Sequence, residues 1–406
     1  MQDLIILAHV PTDSVNLGFL PAAKALGLNV VLLTDHADAH RKHFNQAGLP
    51  AYPSDIVACD VFNPLAVIDA LSARSGTQGG APAALFSNSD HLQTSTAVAA
   101  DYFGLPHKDW HVTYRAKNKA QMREHLQAEG LDPLWFGLAC SPEDLERLAD
   151  EVLYPCIVKP REGVASQQVT LAATEEELRA QCAAVWQSQA GAPLLLEEYI
   201  PGPLYTLETL GDGERLCVLG GFQVSLSPPP YFVELEARWG TGLTAQQEAQ
   251  VVRMIERFGI GFGACHTEFV LSPTGPRLIE INYRNIGDYR EFLLQDALDI
   301  PLFETVLRLY LGEPLPDLKP AGNAALIRYF TASEEGMLAA SPSAFRAGSD
   351  GVQWHYQPLR EQGEQIRLSN SNKDYLGVLR GTGSDAGSLA AAMDRVSAGL
   401  AWEIAA

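Results

Sequence analysis

Positive charge is scarce in this 406-residue chain: 29 lysines and arginines stand against 49 aspartates and glutamates, a net charge of −20. Nucleic acid and anionic membrane are poor partners for such a chain. A polyphosphate has to be held by locally placed cations, so any nucleotide site must show specific lysines and arginines. Cysteine is sparse too. Cys59, Cys140, Cys156, Cys182, Cys217 and Cys265 are scattered with no C-x-x-C pair. That spacing argues against a disulfide frame or a zinc site and predicts reduced, mostly buried thiols. No apolar run is long enough for a membrane span. A basic-then-apolar secretory layout is also missing, because Asp3 precedes a single short strand. A cytoplasmic protein without membrane partners is the expectation. No G-x-G-x-x-G follows the first strand, so a dinucleotide is not supported. No convincing Ser/His/Asp or Cys/His arrangement is present.

What is present reads as globular, with 47% hydrophobic and 19% charged residues. The length predicts roughly two or three domains. Strands at Asp3–His9, Val30–Thr34 and Ala83–Ser87 alternate with helix-like stretches, and a turn is expected at Pro50–Pro53. This pattern predicts a doubly wound parallel sheet over residues 1–110. Such sheets bind ligands beyond their strand C-termini, here His9–Thr12, Asp35 and Asn88–Asp90. His36, His40 and His43 share a helical face, but Arg41 and Lys42 interrupt them, and a solvated face is the better reading.

Residues 111–320 read as an α+β region with a smaller lobe near 150–200. It runs through helix Ala120–Glu129, strand Tyr154–Pro160, the small-residue loop Arg161–Val169, helix Glu175–Gln189, and strands Leu194–Tyr199, Leu204–Leu210, Leu216–Ser225 and Phe232–Leu235. Helices Ala245–Phe258 and Pro301–Leu311 follow. Gly259–Gly263 and Gly381-Thr382-Gly383 read as turns. Residues 321–406 carry strand-like runs at Ala324–Phe330, Val352–Tyr356, Gln365–Ser369 and Tyr375–Arg380, then helix Ala386–Leu400. They predict a β-rich lid or buttress without a dense cluster of reactive groups.

The most chemical stretch is His266–Leu271, turn Ser272-Pro273-Thr274-Gly275-Pro276, and Arg277–Asn282. Antiparallel pairing across that loop, with Leu271 opposite Arg277, puts Glu268 opposite Glu280 and His266 opposite Asn282. Opposed residues share a sheet face with Cβ atoms about 5 Å apart, and facing carboxylates repel. Either the acids are solvated, or a cation lies between them. Oxygen donors from Glu268, Glu280 and Asn282 suit a hard ion such as Mg²⁺, whose shell substrate phosphates complete. Arg284 then lies near a phosphoryl oxygen.

Four segments, in this order and at these separations, resemble the ATP-grasp superfamily, most of all its carboxylate–amine ligases of the amino acid or dipeptide type. They are Asn118-Lys119-Ala-Gln-Met-Arg123, Tyr154-Pro-Cys-Ile-Val-Lys159-Pro160, Glu197-Glu-Tyr-Ile-Pro-Gly202, and His266-Thr-Glu268 with Glu280-Ile-Asn282-Tyr-Arg284. The resemblance covers nearly the whole chain. It implies an N-terminal α/β domain, a two-lobed nucleotide clamp and a C-terminal β-rich subdomain. By resemblance, Lys119 and Lys159 neutralise ATP phosphates under a loop of Glu162–Val169 that includes Ser166. The backbone of Glu197, Glu198, Tyr199 and Ile200 reads adenine. Glu268 and Glu280 hold two Mg²⁺ ions (Mn²⁺ as the alternative), with Asn282 assisting. Arg284 contacts the transferred phosphoryl group, and Lys159 acts beside it. Relatives often place a ribose-binding glutamate where Leu204 stands, so Glu208 takes that role by expectation. The phosphate loop also has fewer glycines than usual, with only Gly163. His266, Arg284, Gly287, Asp288 and Arg290 are the expected substrate contacts. The implied reaction is ADP-forming amide synthesis from a small carboxylate and an amine, amino acids or a siderophore-type building block, in an enzyme that is dimeric in many relatives. A carboxylase or nucleotide-precursor ligase of the same fold, or a non-catalytic ATP-binding module, is the alternative.

Overall fold

The computed structural model of the protein describes residues 2–46, 53–78, 81–319, 321–349 and 351–405. The turn expected at Pro50–Pro53 lies outside the described residues except for Pro53. Strands β1 (Asp3–Leu7), β2 (Asn29–Thr34), β3 (Asp55–Ala58) and β4 (Ala84–Phe86) form an all-parallel sheet in the order β3-β2-β1-β4. The apolar runs of β1, β2 and β4 are buried on both faces, as helix-covered parallel strands require, while edge strand β3 is only half-buried. After β1 a π-helical turn at Ser14–Phe19 runs straight into helix Leu20–Ala25.

A second sheet of four antiparallel strands comprises β5 (Phe136–Ala139), β6 (Cys156–Pro160), β7 (Thr170–Ala172) and β8 (Leu194–Glu198), in the order β5-β8-β6-β7. Its period-two alternation decides the site. Cys156, Val158, Leu194 and Leu196 pack under helix Glu175–Ser188. Ile157, Lys159, Leu195 and Glu197 therefore take the other face, because Ile157 opposes Glu197 and Lys159 opposes Leu195.

The third sheet is the largest, with ten strands. It takes β9 (Leu204–Asp212), β10 (Leu216–Gly220), β11 (Phe222–Leu226), β12 (Glu234–Trp239), β13 (Phe262–Ser272) and β14 (Gly275–Asn282). It then continues without a break through β15 (Ala324–Thr331) into the C-terminal strands. Of these, β16 (Gly336–Ala340) leaves for a small separate sheet, while β17 (Phe345–Ser349) and β18 (Val352–Pro358) stay. β19 (Gln365–Ile366) and β21 (Glu403–Ala405) flank β16, and β20 (Tyr375–Gly383) pairs with β15. The run expected as one strand at Leu216–Ser225 breaks at Gly220-Gly221. A Cβ on Gly221 would stand 1.9 Å from the Thr206 carbonyl oxygen, so the backbones there meet with no room for a side chain. Gly381-Thr382-Gly383 is not the expected turn but the end of β20. Gly381 is small there because the Trp354 ring lies 2.4 Å from where its Cβ would be. Helix Arg290–Leu298 was not anticipated. It starts after Asp288 and Tyr289 in left-handed backbone and has no side-chain cap, so the usual start signals are missing.

Candidate active site

The β13–β14 hairpin places His266 opposite Asn282 and Glu268 opposite Glu280. The loop end differs from expectation. A bulge after Glu268 adds Ile279, so Leu271 opposes Pro276 rather than Arg277 and the turn tightens to Pro273-Thr274. Bulges next to functional sites bend a strand and re-aim its side chains. Here Ile279 and Glu280 both line the cavity. The opposite face of the hairpin (Phe269, Leu278, Ile281) packs with Leu207 against Val251, Ile255 and Phe258 of helix Ala245–Phe258.

Between the four-stranded sheet and the large sheet lies a cavity of about 1000 Å³. Lys119, Lys159, Ser166, Glu197, Glu198, Tyr199, Ile200, Glu268 and Glu280 all line it. Its charges come already paired. Lys119 Nζ donates to Glu280 at 2.8 Å and to the Gly163 carbonyl at 2.9 Å. Lys159 Nζ and Arg123 Nε grip the two oxygens of Glu197, each at 2.6 Å. Burial resists ionisation of Glu197, but the two cations outweigh it and hold the carboxyl at about 2. Glu197 thus has a side-chain task that the sequence did not reveal, as counter-ion to two buried cations. Arg123, fully buried, continues to Asp132, which Arg277 also binds at 2.6 Å. Its signal was its spacing: four residues after Lys119, it lies on the same helix face.

Glu208 is the first correction. It does not line the cavity; it is buried beneath it, accepting from Thr206 Oγ1 at 2.8 Å and sitting 2.9 Å from His266 Nδ1. His266, expected at the substrate, is likewise buried and bridges Glu208 to Glu268, its Nε2 3.2 Å from Glu268. Burial disfavours its charge, yet the two acids win and raise its pKa to about 9. The imidazolium in turn keeps Glu268 below the usual carboxylate range despite burial. Arg290 is the third correction. Instead of facing substrate it is buried and holds Glu234 at 2.7 Å, and Glu234 lines the cavity. Asn282 Nδ2 donates to Glu268 at 3.3 Å, and Lys108, buried over the Tyr283 ring, donates to the Tyr283 carbonyl between Asn282 and Arg284.

A second cavity of about 1280 Å³ begins where the first ends, and Val164 of the 161–169 loop lines both. Arg284, Gly287 and Asp288 line it, as do His9, Val10, Thr12, Asn88 and Ser89 from the C-terminal edge of the parallel sheet. Asp35 lies behind, 2.9 Å from His9 Nδ1. Tyr375 of β20 and Lys373 of the turn before it also line it, so the C-terminal region is less inert than expected. The three histidines of helix Ala37–Phe44 and its approach do not converge: His40 is buried, His43 faces Asn16 at 2.9 Å, and His36 sits by Asp35.

The left-handed positions of the loop fall on residues other than its one glycine, Gly163. Ala165, Ser166 and Gln168 adopt φ of 55°, 55° and 57°, a left-handed conformation that costs non-glycine residues on the order of 1 kcal/mol each. External bonds hold it: Asn372 N donates to the Ala165 carbonyl at 3.1 Å, and Lys119 N donates to that of Arg161 at 3.1 Å.

Two antiparallel sheets closing on a lysine- and carboxylate-lined cleft, with a parallel-sheet domain at its far end, define the ATP-grasp fold. Residues 152–291 match the ATP-grasp domain family, so that stretch carries an ATP-grasp domain. Its relatives include the uncharacterised protein y4rH of Sinorhizobium fredii, 29% identical over 246 residues, covering 58% of this chain and 50% of that protein. Carnosine synthase 1 of Gallus gallus is 28% identical over 375 residues, 86% of this chain and 38% of that one. The chain thus spans half or less of the length of these curated relatives. Among solved structures, L-amino acid ligase from Bacillus licheniformis superposes with a TM-score of 0.78 at 20% identity, covering 100% of this chain and 99% of that one. Phosphoribosylglycinamide synthetase from Anaerococcus prevotii gives 0.71 at 16%, with full coverage of both. Among the described residues, no helix is long and apolar enough to cross a membrane.

Proposed function

We propose that the protein is an ATP-dependent, ADP-forming ligase that joins a small carboxylate to an amine through an acyl phosphate. The observation that carries this is the pair of adjoining cavities. One is lined by Lys119, Lys159 and the facing acids Glu268 and Glu280; the other by Arg284 and the strand ends of the parallel sheet. The first suits the ATP triphosphate, with the backbone of Glu197–Ile200 at adenine and Ser166 at the phosphates. The second suits the two joined substrates. The oxygen donors of Glu268, Glu280 and Asn282 fit Mg²⁺, two ions by this reading, and the Lys119 ammonium on Glu280 is consistent with a cation at this position. When bound, Mg²⁺ supplies neutralisation of the phosphate charge.

In the reaction a carboxylate oxygen attacks the γ-phosphorus and ADP leaves. The amine nitrogen then attacks the acyl carbon and phosphate departs with the electron pair of the broken C–O bond. Lys159 and Arg284 act by charge and position, which is what phosphoryl transfer demands. His266 keeps Glu268 ionised and aimed. Carnosine synthase and L-amino acid ligase among the similar proteins favour amino acid substrates and a dipeptide-like amide.

The test is ADP release against a panel of amino acids and other carboxylates, each paired with amines and each omitted in turn, with bicarbonate as a separate arm. Release that requires both carboxylate and amine is expected. Release driven by bicarbonate alone, or none with any pair, contradicts the reading.

A further inference from the structure

Glu291 opens helix Arg290–Leu298 and lines the second cavity, yet is only 2% exposed. One oxygen, Oε1, accepts from Ser14 Oγ, and Asn88 Nδ2 donates to that same Ser14 Oγ at 3.3 Å. The other, Oε2, is buried with no partner among the described residues. A buried carboxyl oxygen left bare costs stability and calls for an explanation, such as a ligand group that fits it. The neighbouring acids are spoken for. Asp13 accepts from Tyr289, Glu234 is held by Arg290, and Asp288 is exposed.

We propose that Glu291 takes the proton of the attacking amine, which makes the second cavity the place where amine meets activated carboxylate. This rests on the ligase reading above. An ammonium cannot attack; it must first lose a proton, and a carboxylate in an apolar setting is a stronger base than one in water. The step balances. Glu291 accepts one proton from the ammonium, the nitrogen lone pair forms the C–N bond, the C–O bond to phosphate breaks, and the departing phosphate takes the second nitrogen proton. Burial is the main cause that lifts the Glu291 pKa to about 7, where a base is effective near neutrality. The groups around it are mixed. Asp288 works with burial, Ser14 and Arg284 work against it, and Tyr289, Arg380 and Tyr329 stand close by. His9, His91 and Lys373 share the cavity wall.

The test uses Glu291→Gln, which keeps the shape and the Ser14 contact. An equimolar mixture of L-amino acids serves as acyl source, with either the same amino acids or hydroxylamine as nucleophile. Hydroxylamine is already neutral at pH 7 and needs no base. The variant is expected to lose about 10²-fold or more in amide formation, together with the wild type's decline below pH 7, while hydroxamate formation stays within about twofold. Equal loss with both nucleophiles makes Glu291 an acyl-substrate anchor and overturns the proposal, as does survival of the acid limb in the variant. Absence of ADP and of hydroxamate in the wild type contradicts the ligase reading instead. Independently of turnover, infrared difference spectra between wild type and variant should show one carboxyl titrating near pH 7; none titrating there also overturns the proposal.

Discussion

The two cavities handle charge in opposite ways. In the first cavity the buried cations come with acids already on them: Lys159 and Arg123 on Glu197, Lys119 on Glu280. In the second cavity, among the described residues, Glu291 keeps a bare oxygen and Arg284 makes backbone and amide contacts at 3.0 and 3.4 Å. A site that waits for a polyanion has to store several positive charges without it, and built-in acids make that storage tolerable. A site that does proton chemistry needs a group left out of such pairs, and it accepts the cost of that. On the proposed reading, pre-pairing serves binding and the unpaired group serves reaction.

This contrast can be broken from either side. The largest effect is expected from Glu280→Gln, which removes a facing acid at the rim of the first cavity without touching core volume. ADP formation should fall below detection while the melting temperature moves by only a few degrees; near-normal turnover would sink the metal assignment. Next comes Glu197→Gln, which strands Lys159 in the interior and leaves Arg123 with Asp132 as its remaining acid partner among the described residues. Breaking a buried pair in this way costs about 3–5 kcal/mol, read as a shift in the urea midpoint. The pH sign follows from a folded carboxyl at about 2 against an ordinary 4.5. This stabilisation is present above pH 4.5 and is lost as the pH falls from there toward 2. The wild type should therefore lose stability over that window, and the variant should lose less. The smallest effect is expected from Asn372→Ala. Its side-chain oxygen accepts from Glu234 N at 3.1 Å, and its backbone holds the loop at Ala165. Losing one such bond is worth about 1 kcal/mol, seen as a KM for ATP raised by about fivefold with kcat nearly unchanged.

Much of the frame was legible because period-two patterns are local. The facing of Glu268 and Glu280 followed from strand parity, and the ligand edge of the parallel sheet followed from where three strands end. The bulge at Ile279 was not legible, since an extra residue leaves no compositional mark when both neighbours are compatible with a strand. Glu208 and Arg290 were misplaced for one shared reason. Sequence shows that a charged residue is near a site, but not whether its partner comes from a strand 58 residues away, as His266 does for Glu208. Glu291 was missed because helix Arg290–Leu298 follows two left-handed residues rather than a capping residue. Gly381-Thr382-Gly383 misled in the other direction: its glycines make room for Trp354 and Val352 instead of turning the chain.

The central claim is that the carboxylate is activated by phosphorylation before the amine arrives. The most direct measurement supplies the accepted carboxylate labelled with oxygen-18 and follows the label into inorganic phosphate. One labelled oxygen per amide formed is the predicted result. Unlabelled phosphate formed in step with amide would contradict it.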